Sequence, residues 1–193
     1  MTDLTGYTEE EILEGCMRNE RKYQEILYRK YAPLMYTVCL GYAGNRSAAQ
    51  DVLQDGFVKV FQNIGKFNKD KPNSTLEGWI RRILVNTAID LHRKKARLNN
   101  LISENEPLEN AHSKDHDVFE KLGMEDIVKQ LNRLPDGARL IFNMHALEGY
   151  PHKEIAAKLN ISEGTSKSQF SRARELLQKM LHDPANVNGK DAK

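Results

Sequence analysis

The sequence has only two cysteines, Cys16 and Cys39, and a single tryptophan, Trp79. The cysteines lie far apart and form no CxxC pair. That argues against a disulfide framework or a zinc site and leaves buried or incidental thiols. No apolar run approaches the ~20 residues that span a bilayer, so no membrane insertion is expected. No basic start followed by an apolar stretch marks a secretory signal, and the expected compartment is the cytoplasm. Strict apolar–polar alternation and paired turn signals are both missing, which removes hairpins. The six histidines form no nucleophile–base pattern. His112 and His116 have the spacing of a zinc pair, but no HExxH surrounds them. Neither catalytic residues nor a metal or cofactor is expected, and the chain reads as no enzyme.

Net charge is also scarce, at +2 over 193 residues, but it is unevenly spread. Arg81, Arg82, Arg93, Lys94, Lys95 and Arg97 stand against Asp90 alone between Trp79 and Arg97. Glu104, Glu106, Glu109, Asp115 and Asp117 then stand against Lys114. Lys153, Lys158, Lys167, Arg172, Arg174 and Lys179 restore a basic balance near the C-terminus. Two basic blocks flank an acidic middle. For binding a polyanion, such clustering matters more than the total.

What is present is helical periodicity. Ile12, Leu13, Ile26, Leu27, Tyr31, Leu34, Met35 and Val38 recur at steps near three and four. Thr8 and Glu11 form a capping box, Pro33 is expected to break or kink the run, and Gly41 and Gly44 to end it. Ser47 is the expected cap of a helix with Val52, Leu53, Phe57, Val60, Phe61 and Ile64 as its apolar stripe. The Asn- and Pro-containing stretch 68–75 is a loop, and a helix follows through Trp79. From Leu98 to about Asp117 periodicity fades into an acidic linker. Helices resume at 119–134, stop at Pro135, and continue through 136–149. The last residues, 184–193, have the composition of a disordered tail. The expected fold is all-α, with two small helical domains joined by a flexible acidic linker.

The stretch 152–177 has the layout of a helix-turn-helix. A short helix, His152 to Leu159, puts Ile155, Ala156 and Leu159 on one face. Asn160 suits the left-handed turn position, Ile161 pins the turn, and Ser162 caps the next helix. At roughly 100° per residue, Phe170, Ala173, Leu177, Met180 and Leu181 face one way. Gly164, Ser168, Ser171, Arg172, Glu175 and Lys179 face the other, with Lys167 and Arg174 at the flanks. Short side chains admit a close backbone, and Ser162, Thr165, Lys167, Ser168, Ser171 and Arg172 are candidate DNA contacts. The alternative is a solvated face on a core helix.

Two more helix faces carry polar patterns. Arg82, Asn86, Asp90 and Arg93 recur at steps of four, four and three, opposite Ile80, Ile83, Leu84, Thr87 and Leu91. Trp79 stands near the start of that helix, where an aromatic can stack on an unpaired base. Asp51, Gln54 and Asp55 share a face of the preceding helix. They suit either a solvated acidic turn or a docking surface for a basic partner.

Together these blocks resemble the sigma-70 family of bacterial RNA polymerase sigma factors, in particular its small extracytoplasmic-function (ECF) group. The stretches 28–61 and 79–95 resemble region 2, and 131–174 resembles region 4. The resemblance implies domains at 1–97 and 123–183, separated by the linker 98–122. It implies that Asp51, Gln54, Asp55 and Phe57 dock on the clamp helices of the polymerase beta-prime subunit. It places Asn68, Asn73, Trp79, Arg82, Asn86, Arg93 and Lys94 at the melted −10 promoter element, and the helix-turn-helix at the −35 element and the beta-subunit flap. Partners implied are core RNA polymerase, promoter DNA and a separate anti-sigma factor. Ser166 and Gln169 stand where the family more often has Val and Arg, so the resemblance does not carry over a base preference. The competing reading is an operator-binding regulator whose N-terminal half senses a ligand or dimerises.

Overall fold

Capping chemistry sets the first helix of the computed structural model, which describes residues 6–72, 74–102 and 130–182, side chains of 96–102 and 181–182 excepted. Glu11 N–H donates to Thr8 Oγ1 at 3.2 Å, and Thr8 N–H donates back to Glu11 Oε2 at 2.7 Å. This box opens α1, Glu9–Met17. Asn19, at φ 59°, turns the chain into α2, Arg21–Ala43. Gly44 ends α2 in the left-handed conformation at φ 78°. Helix α3 spans Arg46–Asn63, followed by a 3₁₀ turn at Ile64–Lys66. Helix α4 spans Leu76–Ile102. The described chain resumes with helical backbone at 130–132, then α5 at Asp136–Phe142 and a π-helical turn at Asn143–Leu147. Helices α6, His152–Leu159, and α7, Glu163–His182, complete it. The described residues are all-α. The chain divides into two units, Met1–Lys94 and Lys95–Lys193.

The first unit buries one face of each helix. Leu27, Met35 and Cys39 of α2, Val52, Phe57 and Val60 of α3, and Ile80, Leu84 and Val85 of α4 are all nearly inaccessible. Each large apolar side chain so buried contributes about 1.5–3 kcal/mol of transfer free energy. Helices α3 and α4 approach closely at Gly56, where a Cβ would fall 2.7 Å from Leu84 Cγ. Burial pushes the Cys16 thiol up to about 11 and the Cys39 thiol up to about 12, so neither is a ready nucleophile at neutral pH.

In the second unit, Leu131, Leu134 and Ala138 pack with Ala173 of α7, joined by Phe142, Leu176, Leu177 and Met180. Arg139 is buried in this unit, its guanidinium donating to Asp136 Oδ1 at 2.8 Å and to the Leu134 carbonyl at 3.4 Å.

Several sequence expectations change. Pro33 lies inside α2 rather than ending it. It takes away the donor for the Arg29 carbonyl, but both residues are exposed and water can satisfy that oxygen. Asn45, not Ser47, caps α3, its Oδ1 accepting from Ala48 N–H at 2.9 Å. Leu91 was expected on the apolar side of α4 but is 38% exposed, while Val85, Ala88 and Ile89 are buried. Helix α4 runs past 97 to Ile102, into the expected linker. The single helix expected over 136–149 becomes α5 plus the π turn. The rest of the linker, most of the 119–134 helix, His112 and His116, and the tail 184–193 lie outside the described residues.

Candidate nucleic-acid interface

The turn between α6 and α7 follows the expected chemistry. Asn160 takes φ 56°, ψ 49°. Ile161 N–H reaches back to the Ala156 carbonyl at 3.1 Å, the long bond of a Schellman turn. Ser162 Oγ accepts from Thr165 N–H at 2.9 Å and caps α7. Ile155 is fully buried beneath the turn.

On α7, Gly164, Ser168, Ser171, Arg172, Glu175 and Lys179 are exposed, while Ala173 is buried and Phe170, Leu177 and Met180 are half-buried. The predicted face therefore lies outward. Its hydroxyls are partly committed: Ser162 Oγ and Thr165 Oγ1 are 2.8 Å apart, and Ser168 Oγ donates to the Thr165 carbonyl at 3.1 Å. Lys167 pairs with Glu163 at 2.7 Å. Arg172 has no protein partner among the described residues, which leaves its five donors for a ligand.

Sequence reasoning missed what lies beneath this face. His152 Nδ1 sits 2.9 Å from Ser166 Oγ, and Ser166 is fully buried. The His152 ring stacks on His145 with centroids 4.1 Å apart, and Phe170 meets both rings edge-on. His145 Nδ1–H donates to the Tyr150 carbonyl at 2.8 Å. The separation of 14 residues between His152 and Ser166 carries no sequence signal.

Desolvation, then the neighbouring His145 of the π turn and Lys167 of α7, hold His152 below the usual imidazole range, with Glu163 of α7 opposing. Lys153 and Glu154 are its charged neighbours on α6. The fold thus prefers the neutral ring. Its contribution to stability is fully present above the unfolded value of about 6.5 and drains as pH falls through the lowered folded value. Thermal unfolding of the full chain should shift to lower temperature between about pH 7.5 and about pH 5.5, with His152→Asn flattening that slope. Equal slopes in the two proteins would contradict the assignment. Glu163 and Glu175 lie below the carboxylate range because Lys167 and Lys179 bond them, so their contributions disappear only in stronger acid.

In the first unit, Thr75 starts α4 by accepting from Gly78 N–H at 3.1 Å. Trp79 is half-buried beside Phe67, ring centroids 5.7 Å apart. Asn68 Oδ1 accepts from Asp70 N–H at 2.8 Å, and Lys69 pairs with Glu10 of α1. The loop is thereby folded on itself and tied to the first helix. Asn73 lies outside the described residues. Arg82 and Lys94 are exposed, Asn86 and Arg93 half-buried. Arg93 lies 4.0 Å from Asp90, which also faces Lys59 of α3 at 3.9 Å.

On α3, Asp51, Gln54 and Asp55 are exposed together. Phe57 is not with them: at 2% exposure it belongs to the core, against Tyr28 at 4.7 Å. The residue expected to touch a partner therefore supports the helix from below. Val58, unnoticed in the sequence, is 52% exposed and lies seven, four and three residues after Asp51, Gln54 and Asp55, on their face.

Among the described residues, no helix is long and apolar enough to cross a membrane, and no cluster of three or more His, Cys, Asp or Glu could hold a metal.

Comparison with known proteins names both halves. Sigma-70 region 2 matches residues 27–98, and sigma-70 region 4 matches residues 124–177. The RNA polymerase sigma-H factor of Pseudomonas aeruginosa is 26% identical over 92% of this chain and 96% of its own length. The ECF RNA polymerase sigma factor SigW of Bacillus subtilis is 31% identical over 79% of this chain and 86% of its own. The sigma factor RpoE of Bartonella quintana, solved in complex with the anti-sigma factor NepR, shares the fold with a TM-score of 0.52 at 24% identity, over 83% of this chain and 97% of that one. With both regions matched in order, and with identity to SigW sustained over most of both chains, this chain belongs to the sigma-70 family as an ECF sigma factor, a promoter-directing subunit of RNA polymerase and not an enzyme.

Proposed function

We propose that residues 1–97 dock on core polymerase and open the −10 element, and that residues 123–183 read the −35 element, with 98–122 as the tether and 184–193 as a tail. The observation that carries this is the pairing, in separate units, of a helix-turn-helix with an outward short-chained face and a Trp-led basic helix. Two promoter elements about two helical turns apart suit two modules better than one. Because α4 continues to Ile102, about 20 tether residues remain beyond it, enough to reach on the order of 65 Å if extended.

In this reading Asp51, Gln54 and Asp55 meet the beta-prime clamp helices, with Val58 as an apolar contact among them and Phe57 buried beneath. Asn68, Asn73, Trp79, Arg82, Asn86, Arg93 and Lys94 attend the melted −10 strand. Extruding a base costs a few kcal/mol, and stacking on an aromatic returns about 1–3 kcal/mol. Melting then needs binding energy but no covalent step.

Ser162, Thr165, Lys167, Ser168, Ser171 and Arg172 contact the −35 duplex. The N-terminus of α7 favours a phosphate, and Arg172 reaches a base edge or the backbone. The same unit meets the beta flap, and a separate anti-sigma factor binds the chain to silence it. Core polymerase reconstituted with this chain should initiate on promoter DNA that core alone ignores. Failure to bind core would refute the reading.

A further inference from the structure

We propose that His152 and Ser166 form a positioning pair that holds the reading end of α7 in place. The inference rests on the assignment of α7 as the reader of duplex DNA.

The two ends of α7 are anchored differently. Ala173 is buried in the second unit's apolar cluster, with Leu176, Leu177 and Met180 packed against it. These residues hold the C-terminal half. Among residues 163–172, which carry all the proposed DNA contacts except Ser162, Ser166 alone is buried, and Gln169 and Phe170 are half-buried. Ser166 is polar and contributes little apolar burial. What it offers α6 is a hydrogen bond, 2.9 Å from Oγ to His152 Nδ1. Either tautomer of neutral His152 closes this bond, because a hydroxyl both donates and accepts.

The His152 ring is itself held. It stacks on His145, whose Nδ1–H is anchored on the Tyr150 carbonyl, and Phe170 packs edge-on against both rings. A continuous chain therefore runs from the backbone before α6, through two imidazoles, to the underside of the reading helix. Breaking it leaves the hydroxyl buried without a partner and frees the front of α7 to tilt about its apolar rear. Hydrogen bonding to DNA depends steeply on geometry, so tilt should be read out as lost affinity before lost fold.

The test uses the full-length chain and a duplex carrying a promoter that the reconstituted holoenzyme has selected. His152→Ala and Ser166→Ala should each weaken duplex binding roughly 10-fold, and the double variant should be no weaker than either. His152→Asn keeps a hydrogen-bonding atom at the place of Nδ1 and should return affinity to within about two-fold of the parent. Core polymerase binding through the α3 face of the first unit, which lies outside the substituted unit, should be retained throughout. Parental affinity in His152→Ala, additive losses in the double variant, or no rescue by His152→Asn would each overturn the pair. Should His152→Ala unfold at the assay temperature, Ser166→Ala and His152→Asn still decide it. Arg172→Ala serves as the control for the underlying assignment. If that variant keeps full affinity, α7 is not the reader, whatever the histidine variants do.

Discussion

Arg172→Ala should weaken binding to a promoter duplex by roughly 10- to 100-fold while leaving affinity for core polymerase intact. The side chain is exposed on the outward face of α7 and has no protein partner among the described residues, so its removal disturbs no packing. The loss should distinguish two roles. If Arg172 grips a base edge, the variant discriminates less among sequences at one −35 position. If it grips a phosphate, affinity falls about equally across sequences and the dependence on log salt drops by about one unit. Equal losses for DNA and for core, or no loss for either, would mean that another face of the second unit reads DNA.

Reversing charge on α3, by Asp51→Lys with Asp55→Lys, is expected to lower affinity for core polymerase by about 100-fold or more, since like charges brought together at an interface cost several kcal/mol. Both carboxylates are exposed, without ion pairs among the described residues. They also sit beyond the first turn of α3, where the helix dipole is weak. The variant should therefore remain folded, with unchanged helicity and unchanged affinity for an isolated −35 duplex. Unchanged core affinity would refute the docking assignment. Weakening that survives high salt would shift the weight from the carboxylates to apolar neighbours such as Val58.

The parts legible in the sequence were those settled by local chemistry. The α6 boundaries, the left-handed Asn160, the Ser162 cap and the Thr8–Glu11 box all depend on residues within five positions of one another. So does the outward direction of the α7 face, which follows from helical period alone. What escaped depended on neighbours distant in sequence. Pro33 reads as a helix breaker, yet exposure of its turn allows α2 to continue. Leu91 has the character of a core residue but is 38% exposed. Phe57 was both a stripe residue and a docking candidate; its 2% exposure decides for the core. Val58 was invisible for the opposite reason, since an apolar residue in a helix is expected inside. The His145–His152–Ser166 chain joins three elements, and no pattern of spacing announces it. Binary pattern shows which way a helix faces; only tertiary contact shows what fixes its tilt.

As a sigma factor, this chain confers promoter choice on RNA polymerase. The most direct measurement is to mix the purified chain with core polymerase and a promoter library, and to map transcript starts. Stable association with core is expected, together with a defined set of new starts, each preceded by two elements about two helical turns apart. These starts should be lost with Asp51→Lys and Asp55→Lys through failure to bind core, and lost with Arg172→Ala despite normal core binding. No association with core and no starts beyond those of core alone would rule out this role for the chain.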